Sequence, residues 1–218
     1  MIDHLVYGAP ELASAVALLE ELLGVVAAAG GRHEGRGTHN ALLALGDDAY
    51  LEVIAPDPSQ PAPAGPRPFG LDHLAERRLV TFAVHPASRP ADLDREGAAR
   101  RLERWRRRAL ERGYDPGPVK TGGRRRLDGT ELSWHLCQHT ELPFAGAVPF
   151  LIDWGATRSP AFTAPAGCRL LEVEVGHPQP AAVRAALRAL EVAVPVRSSP
   201  APLLQATLTT PRGRVLLA

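Results

Sequence analysis

Three segments of the chain open on a run in which apolar and polar residues alternate, the pattern of a half-buried β-strand. The runs are IDHLVYG at residues 2–8, LVTFAVHP at 79–86 and LLEVEVGHP at 170–178. Within the first run, the period of two places Ile2, His4 and Val6 on one face of the strand. Each segment is therefore predicted to begin with a strand.

A helical period follows each predicted strand. In the first segment, apolar residues recur at helical spacing, at Leu12, Val16, Leu19 and Leu23. Gly24 follows directly and supplies a stop signal. The second segment carries a similar period that ends near Gly113, and the third carries one over residues 182–190. The pattern predicts one helix in each segment.

Short apolar runs after each helix predict further strands. In the first segment, residues 41–45 and 49–54 flank a Gly-Asp-Asp turn. In the second segment, Leu127-Asp128-Gly129 separates two alternating runs, which is a hairpin signal. The same order of strand, helix and further strands therefore recurs along the chain, as expected of a repeated supersecondary unit.

Two Pro- and Gly-rich stretches, at residues 55–70 and 155–167, separate the three segments. Proline at this density does not fit the interior of a helix or of a central strand, so both stretches are expected to be surface connections. We predict a βαβββ unit at residues 1–58, a Pro-rich connection at 59–78, a second βαβββ unit at 79–156 and a shorter βαββ-type unit at 168–218, all within one compact domain.

Charge and cysteine content narrow the function classes. The net charge of +1 gives no drive towards nucleic acid, and no segment approaches the ~20 apolar residues that span a bilayer. The two cysteines, Cys137 and Cys168, form no CxxC motif, which argues against a thiolate zinc site and fits a reducing cytoplasm. We expect a cytoplasmic protein whose partner is a small molecule, with a homodimer left open.

Two polar side chains in apolar strands point to a specific site. The segment IDHLVYGAPELASAVALLEELLG carries His4, and DAYLEVIAPDP carries Glu52. Both stretches resemble the first βαβββ unit of the vicinal oxygen chelate superfamily, whose members include glyoxalase I, extradiol dioxygenases, and fosfomycin-resistance and bleomycin-binding proteins. The stretch GRGTHNALLALG, with His39, looks like the glyoxalase-like branch of that superfamily. The resemblance implies an α+β fold in which repeated βαβββ units form curved mixed sheets around a central cavity.

The resemblance also implies a divalent metal. In the superfamily, the first and last strands of each unit supply its ligands, and His4 and Glu52 match that pattern in the first unit. The ion would be Fe, Mn, Zn, Co or Ni, which accept imidazole and carboxylate ligands. The second unit departs from the pattern, because Thr81 stands at the first-strand position and Leu151 aligns with Glu52. Asp153, two residues further on, is a substitute.

Further polar residues are candidates for a third ligand or for catalysis. Two histidines, His39 and His135, are expected to position the substrate or to move protons. Asp153 and Glu172 are expected to face the cavity, with Trp134 as part of its wall. The RRR run at residues 124–126 lies on a predicted hairpin arm, where a solvated edge is favoured over an anionic ligand.

Two functions stay open from the sequence. One is a metal-dependent lyase, isomerase or dioxygenase that acts on a small organic substrate. The other is a metal-free protein that binds a small molecule for sequestration or resistance. In the second case, a hydrogen-bonded pair of His4 and Glu52 would satisfy the buried carboxylate without an ion. The ligand positions of the second unit distinguish the two.

Overall fold

The computed structural model describes residues 1–86, 95–125 and 129–218. Eight strands close into a barrel: β1 Ile2–Gly8, β2 Ala28–His33, β3 Thr38–Ala44, β4 Tyr50–Pro56, β5 Arg78–Val84, β6 Val119–Arg125, β7 Glu131–Cys137 and β8 Phe150–Asp153. Helix α1, Leu12–Leu23, lies between β1 and β2, and helix α2, Arg95–Glu111, between β5 and β6. The predicted turn residues Leu127 and Asp128 lie outside the described residues.

The barrel consists of two βαβββ halves joined through their first strands. Its strand order is β1-β4-β3-β2-β6-β7-β8-β5. β1 pairs with β4 in parallel, β5 pairs with β8 in parallel, and β1 pairs with β5 in antiparallel orientation. On the other side, Arg32 of β2 pairs with Arg125 of β6 and closes the ring. The predicted α+β class, with curved mixed sheets around a central cavity, is confirmed.

Alternation along the strands divides the apolar residues into two clusters. Val6, Leu42 and Ile152 belong to the cluster inside the barrel. Leu5 and Leu43, each next in sequence to one of these, belong to the cluster that packs outside it. The strands therefore bury both faces, one against the helices and the second sheet and the other around the cavity.

Helix α1 begins and ends where the sequence signals predict. The Glu11 carboxylate accepts hydrogen bonds from the backbone N–H groups of Ala13 and Ser14, both at 2.7 Å, and so caps the first turn. Gly24 ends the helix with a φ of 74°, and its N–H donates to the carbonyl of Glu20. Glycine adopts this left-handed conformation without the steric cost that a Cβ brings.

The third segment forms a separate sheet beside the barrel. Its elements are β9 Arg169–His177, helix α3 Pro180–Ala189, β10 Val196–Ser198, β11 Leu203–Thr210 and β12 Gly213–Leu217. The sheet has the order β10-β9-β11-β12. It is joined to the barrel by a backbone hydrogen bond from Leu170 to Leu45, and Trp105 of α2 donates its indole N–H to the carbonyl of Leu190.

The Pro-rich connection lies against one end of the barrel. It contains a short 3₁₀ segment, Pro68–His73, in which Phe69 has a φ of 61°. This left-handed conformation is uncommon for a bulky residue, and it turns the Phe69 ring towards Phe150 of β8 at 5.8 Å between centroids. Within the described residues, no helix is long and apolar enough to cross a membrane.

Candidate functional site

The interior of the barrel contains a cavity. Five aromatic rings contribute to its wall: Tyr50, Phe69, Trp134, Phe150 and Trp154. The polar groups that line it are concentrated on the first half of the barrel, with His4, His33, Asn40 and Glu52, joined by Arg124 from β6. A mostly apolar enclosure with a few convergent polar groups is typical of a small-molecule site.

Glu52 is the centre of the polar cluster. It is 8% exposed, and its Oε1 accepts a hydrogen bond of 2.5 Å from Asn40 Nδ2. Asn40 Oδ1 in turn accepts one of 2.6 Å from Arg124 Nη1. Because a guanidinium only donates, this contact fixes which end of the Asn40 amide faces Glu52. The chain of donors holds Glu52 Oε1 as a hydrogen-bond acceptor.

His4 approaches the other oxygen of Glu52. Its Nε2 lies 3.8 Å from Glu52 Oε2, and its Nδ1 lies 2.8 Å from Asp3 Oδ1. The Asp3 carboxyl oxygens accept from Trp154, so we assign the proton of this contact to His4 Nδ1, which leaves the Nε2 lone pair on the cavity side. The imidazole ring stacks on Tyr50 at 4.6 Å and meets Phe150 edge-on at 5.5 Å.

A β-bulge brings Asp3 to the same side as its neighbour His4. In the β1–β5 pairing, Ile2 is opposite Val84 and His4 is opposite Ala83, so Asp3 is an extra residue. The bulge moves Ile2 to the outer cluster, although simple alternation predicts it beside His4. Trp154 Nε1 donates to both Asp3 oxygens, at 3.2 and 3.1 Å, and so fixes the buried carboxylate.

His33 completes the polar cluster from the end of β2. Its Nδ1 lies 3.0 Å from Thr38 Oγ1, and its Nε2 lies 3.8 Å from Glu52 Oε1. Burial lowers the pKa of His33 from 6.5 to about 4, and the opposing attraction of Glu52 is smaller. His33 is therefore neutral near pH 7.

Two glycines provide the space that this arrangement needs. A Cβ on Gly30 would collide with Asn40 Oδ1 and with Arg124 Nη1. A Cβ on Gly122 would collide with the indole of Trp134, which lies opposite it on the neighbouring strand. The hydrogen-bonded pair of Asn40 and Arg124 therefore fills the space that a side chain at residue 30 would take, and the Trp134 indole fills the corresponding space at residue 122.

A family model described as glyoxalase-like domain matches residues 2–191. The chain belongs to the glyoxalase-like domain family. The resemblance predicted from the residues around His4 and Glu52 is thereby confirmed. Among curated proteins, none matches this glyoxalase-like domain.

Solved structures are similar to the glyoxalase-like domain at low identity. A hypothetical protein from Staphylococcus aureus is 13% identical, with a TM-score of 0.57, and the match covers 99% of this chain and 83% of that one. Methylmalonyl-CoA epimerase from Mycobacterium tuberculosis is 19% identical, covering 69% and 84%, with a TM-score of 0.39. A xylose isomerase-like TIM barrel/4-hydroxyphenylpyruvate dioxygenase fusion protein is 16% identical, covering 99% and 32%, with a TM-score of 0.37. The first of these similarities supports the fold alone.

The strand register identifies the residues of the second half that correspond to His4 and Glu52. Leu5 of β1 pairs with Phe82 of β5, so these two residues are equivalent in the two halves, and the residues before them, His4 and Thr81, are equivalent as well. The residues after them, Val6 and Ala83, are equivalent for the same reason. Val6 pairs with Glu52 and Ala83 pairs with Phe150, so Phe150, and not Leu151, takes the place of Glu52. Neither a phenyl ring nor a neutral hydroxyl replaces an imidazole or a carboxylate as a ligand of these metals.

The remaining donors of this glyoxalase-like domain do not form a metal site either. His4 and His33 approach different oxygens of Glu52, and Asn40 already occupies Oε1. Within the described ranges, no three His, Cys, Asp or Glu side chains cluster closely enough to hold an ion. The donor set therefore does not fit the divalent metal that the superfamily resemblance implies.

Of the other predicted site residues, only Trp134 lines the cavity. Asn40 faces the cavity, so alternation turns His39 to the outer face of β3. Trp134 and Leu136 likewise face inwards, which turns His135 outwards, opposite Asp153 of β8.

The two predicted acidic cavity residues lie elsewhere. Asp153 forms a bidentate ion pair with Arg101 of α2, with both contacts at 2.7 Å, outside the barrel. Glu172 is exposed on β9 of the separate sheet. Asp153 shares a strand face with Leu151, as predicted, but that face packs outwards. The third segment contributes no residue to the cavity wall among the described residues.

The sequence reading missed four polar residues of the site: Asp3, His33, Asn40 and Arg124. Alternation back from the inward-facing Leu42 identifies Asn40, so a signal for that residue was present. The glycine-rich run before His33 reads as a turn rather than as strand β2. Arg124, predicted at a solvated edge, is 6% exposed.

Proposed function

We propose that this glyoxalase-like domain is an enzyme that moves a proton on a small organic substrate without a metal. Glu52 acts as the proton acceptor and His4 as its partner. The observation that carries the proposal is the pair itself: a carboxylate and an imidazole whose near atoms, Oε2 and Nε2, are 3.8 Å apart in a closed apolar cavity. Burial of a carboxylate and an imidazole costs desolvation free energy, and buried pairs of titratable groups of this kind are concentrated at functional sites.

The surroundings of Glu52 support its role as a base. Among the described residues that line the cavity, it is the one carboxylate. Asn40 holds Oε1, so Oε2 is the oxygen directed at a bound molecule and at His4.

The surroundings of His4 support a second proton site. With Nδ1 bonded to Asp3, Nε2 accepts a proton from Glu52, and Asp3 stabilises the imidazolium that results. A proton taken from a substrate carbon by Glu52 can then be delivered by His4 to a neighbouring atom of the substrate. The net reaction is an isomerisation, or an elimination if a leaving group departs.

The wall of the cavity favours a flat, largely apolar substrate. Trp134 and Trp154 lie 5.2 Å apart between ring centroids, at a tilt of 52°. Phe69 and Phe150 add two more rings near the mouth. Aromatic faces stack on planar groups and exclude water from a proton-transfer step.

A second candidate function is sequestration of a small molecule without chemistry. The hydrogen bond from Asn40 to Glu52 favours it, since it gives one oxygen of the carboxylate a partner from the protein itself. In this case Glu52 and His4 would act as acceptors for polar groups on the ligand. Both functions use the same cavity, and only proton transfer separates them.

Solvent exchange separates the two functions. A set of small carbonyl compounds is incubated with the chelator-treated protein in D₂O, and loss of C–H signal is followed by ¹H NMR. We expect exchange in at least one compound, reduced about 10²-fold or more in Glu52→Gln. Saturation-transfer NMR on the same samples reports binding. Binding without exchange supports sequestration, and neither binding nor exchange contradicts both functions.

A further inference from the structure

The cavity continues into a second recess at the mouth of the barrel. This recess, of about 660 Å³, is bounded by the β2–β3 turn, the Pro-rich connection and the neighbouring parts of β6 and β7. Four residues line both spaces: Arg36, Pro68, Leu136 and Gln138. The two spaces are therefore contiguous, and a molecule longer than the barrel cavity would extend into the recess.

The charged groups that line the recess are cationic. Arg36 and Lys120 both line it, and no carboxylate lines it among the described residues. Among the residues that the structure describes, neither cation forms an ion pair in the recess, whereas nearby Arg125 is paired with Glu34 and Glu131. Arg36 also contributes to lowering the pKa of the buried His33, so its charge acts at the inner end of the recess.

We propose that the recess binds an anionic group of the substrate, a carboxylate or a phosphate, between Arg36 and Lys120. The apolar body of the same molecule occupies the barrel. This assignment rests on the proposed small-molecule function and adds the class of substrate: an amphipathic acid with a flat or chain-like apolar part.

Glu52 gives such a molecule a single orientation. Its carboxylate lies inside the barrel, where a second negative charge would be repelled with little screening by water. Arg124 also lines the barrel, but its guanidinium donates to Asn40. The anionic end is therefore held at the mouth by Arg36 and Lys120, and the apolar end lies beside Glu52 and His4. Pro63, Pro66 and Pro68 line the recess and reduce the entropy lost when it binds a ligand.

A matched ligand series tests the recess. The probes are ω-phenylalkanoic acids of increasing chain length and their neutral amides, and binding is measured by isothermal titration calorimetry. For the chain length that spans both spaces, we expect the acid to bind about tenfold more tightly than its amide. The preference should fall to about twofold or less in the Arg36→Gln/Lys120→Gln double variant. It should persist in Arg125→Gln, which lies outside the recess.

The outcomes separate this inference from the proposed function. Equal binding of acids and amides at every chain length would overturn the anion subsite and leave the barrel site intact. A preference that the double variant retains would overturn the roles of Arg36 and Lys120. If neither acids nor amides bind, the small-molecule function fails together with the subsite.

Discussion

His4 Nδ1 lies 2.8 Å from the carboxylate of Asp3, although the two residues are neighbours in one strand. Consecutive residues of a regular strand point to opposite faces, so this contact depends on the bulge in β1. The result is an oriented imidazole whose free nitrogen faces Glu52. The proposed chemistry depends on that orientation.

Substitution of Asp3 by Asn tests the role of Asp3 in orienting the His4 ring and in stabilising the fold. An amide oxygen accepts fewer hydrogen bonds than a carboxylate, so either His4 or Trp154 loses an acceptor. We expect the free energy of unfolding to fall by about 1–3 kcal/mol and the exchange rate by about 10²-fold. Urea denaturation and NMR exchange measure the two effects.

Asp153→Asn is the matched control for that substitution. It weakens the ion pair with Arg101 on the outer side of the barrel and should lower stability, while the exchange rate of the folded protein stays the same. An unchanged exchange rate in Asp3→Asn would show that the orientation of His4 does not matter.

Gly30→Ala should disturb the contact that fixes Glu52. The new methyl group would occupy the space of Asn40 Oδ1 and Arg124 Nη1, so the two side chains must separate. Overpacking of this kind costs about 1–3 kcal/mol, and ligand affinity should fall with it. Gly65→Ala is the control for stability alone, because a Cβ there meets open space. Equal stability in both variants would contradict the role assigned to the contact.

His33 should make stability depend on pH. Its pKa is about 4 in the folded protein, against 6.5 as the ordinary value, so the unfolded chain takes up the proton first as pH falls. The contribution is fully present above pH 6.5 and is lost as pH decreases towards 4, by about 3 kcal/mol in total. Urea denaturation between pH 7.5 and 4.5 should show this decrease, and His33→Gln should reduce it. An NMR titration that places the pKa of His33 near 6.5 would contradict the prediction.

The sequence predicted the α+β class, with curved mixed sheets around a cavity, and two polar residues whose side chains lie close together in it. Alternation in the strand that carries His4 and the position of Glu52 in the last strand of the unit identified two side chains that do meet. Both signals are local, since a period of two needs only a few residues. The family match agrees with the fold that these residues predicted.

The rest of the site depends on features that a local pattern does not contain. An error of one residue in the assignment of strand faces exchanges the inward and outward positions of the whole strand. His39 was predicted to face the cavity as a possible ligand, whereas its neighbour Asn40 is the residue that faces inwards. The bulge at Asp3 arises from the pairing of β1 with β5, and Arg124 reaches Asn40 only because β6 closes the barrel on β2. These are contacts between distant parts of the chain.

Metal content tests the central claim, that Glu52 and His4 work as a pair without an ion. The protein is purified without a His-tag, incubated with Fe, Mn, Zn, Co or Ni, desalted and examined by elemental analysis. We predict no stoichiometric metal in the wild type under any of these conditions. One ion per chain, lost in both His4→Ala and Glu52→Ala, would contradict the account and support the metal-dependent lyase, isomerase or dioxygenase.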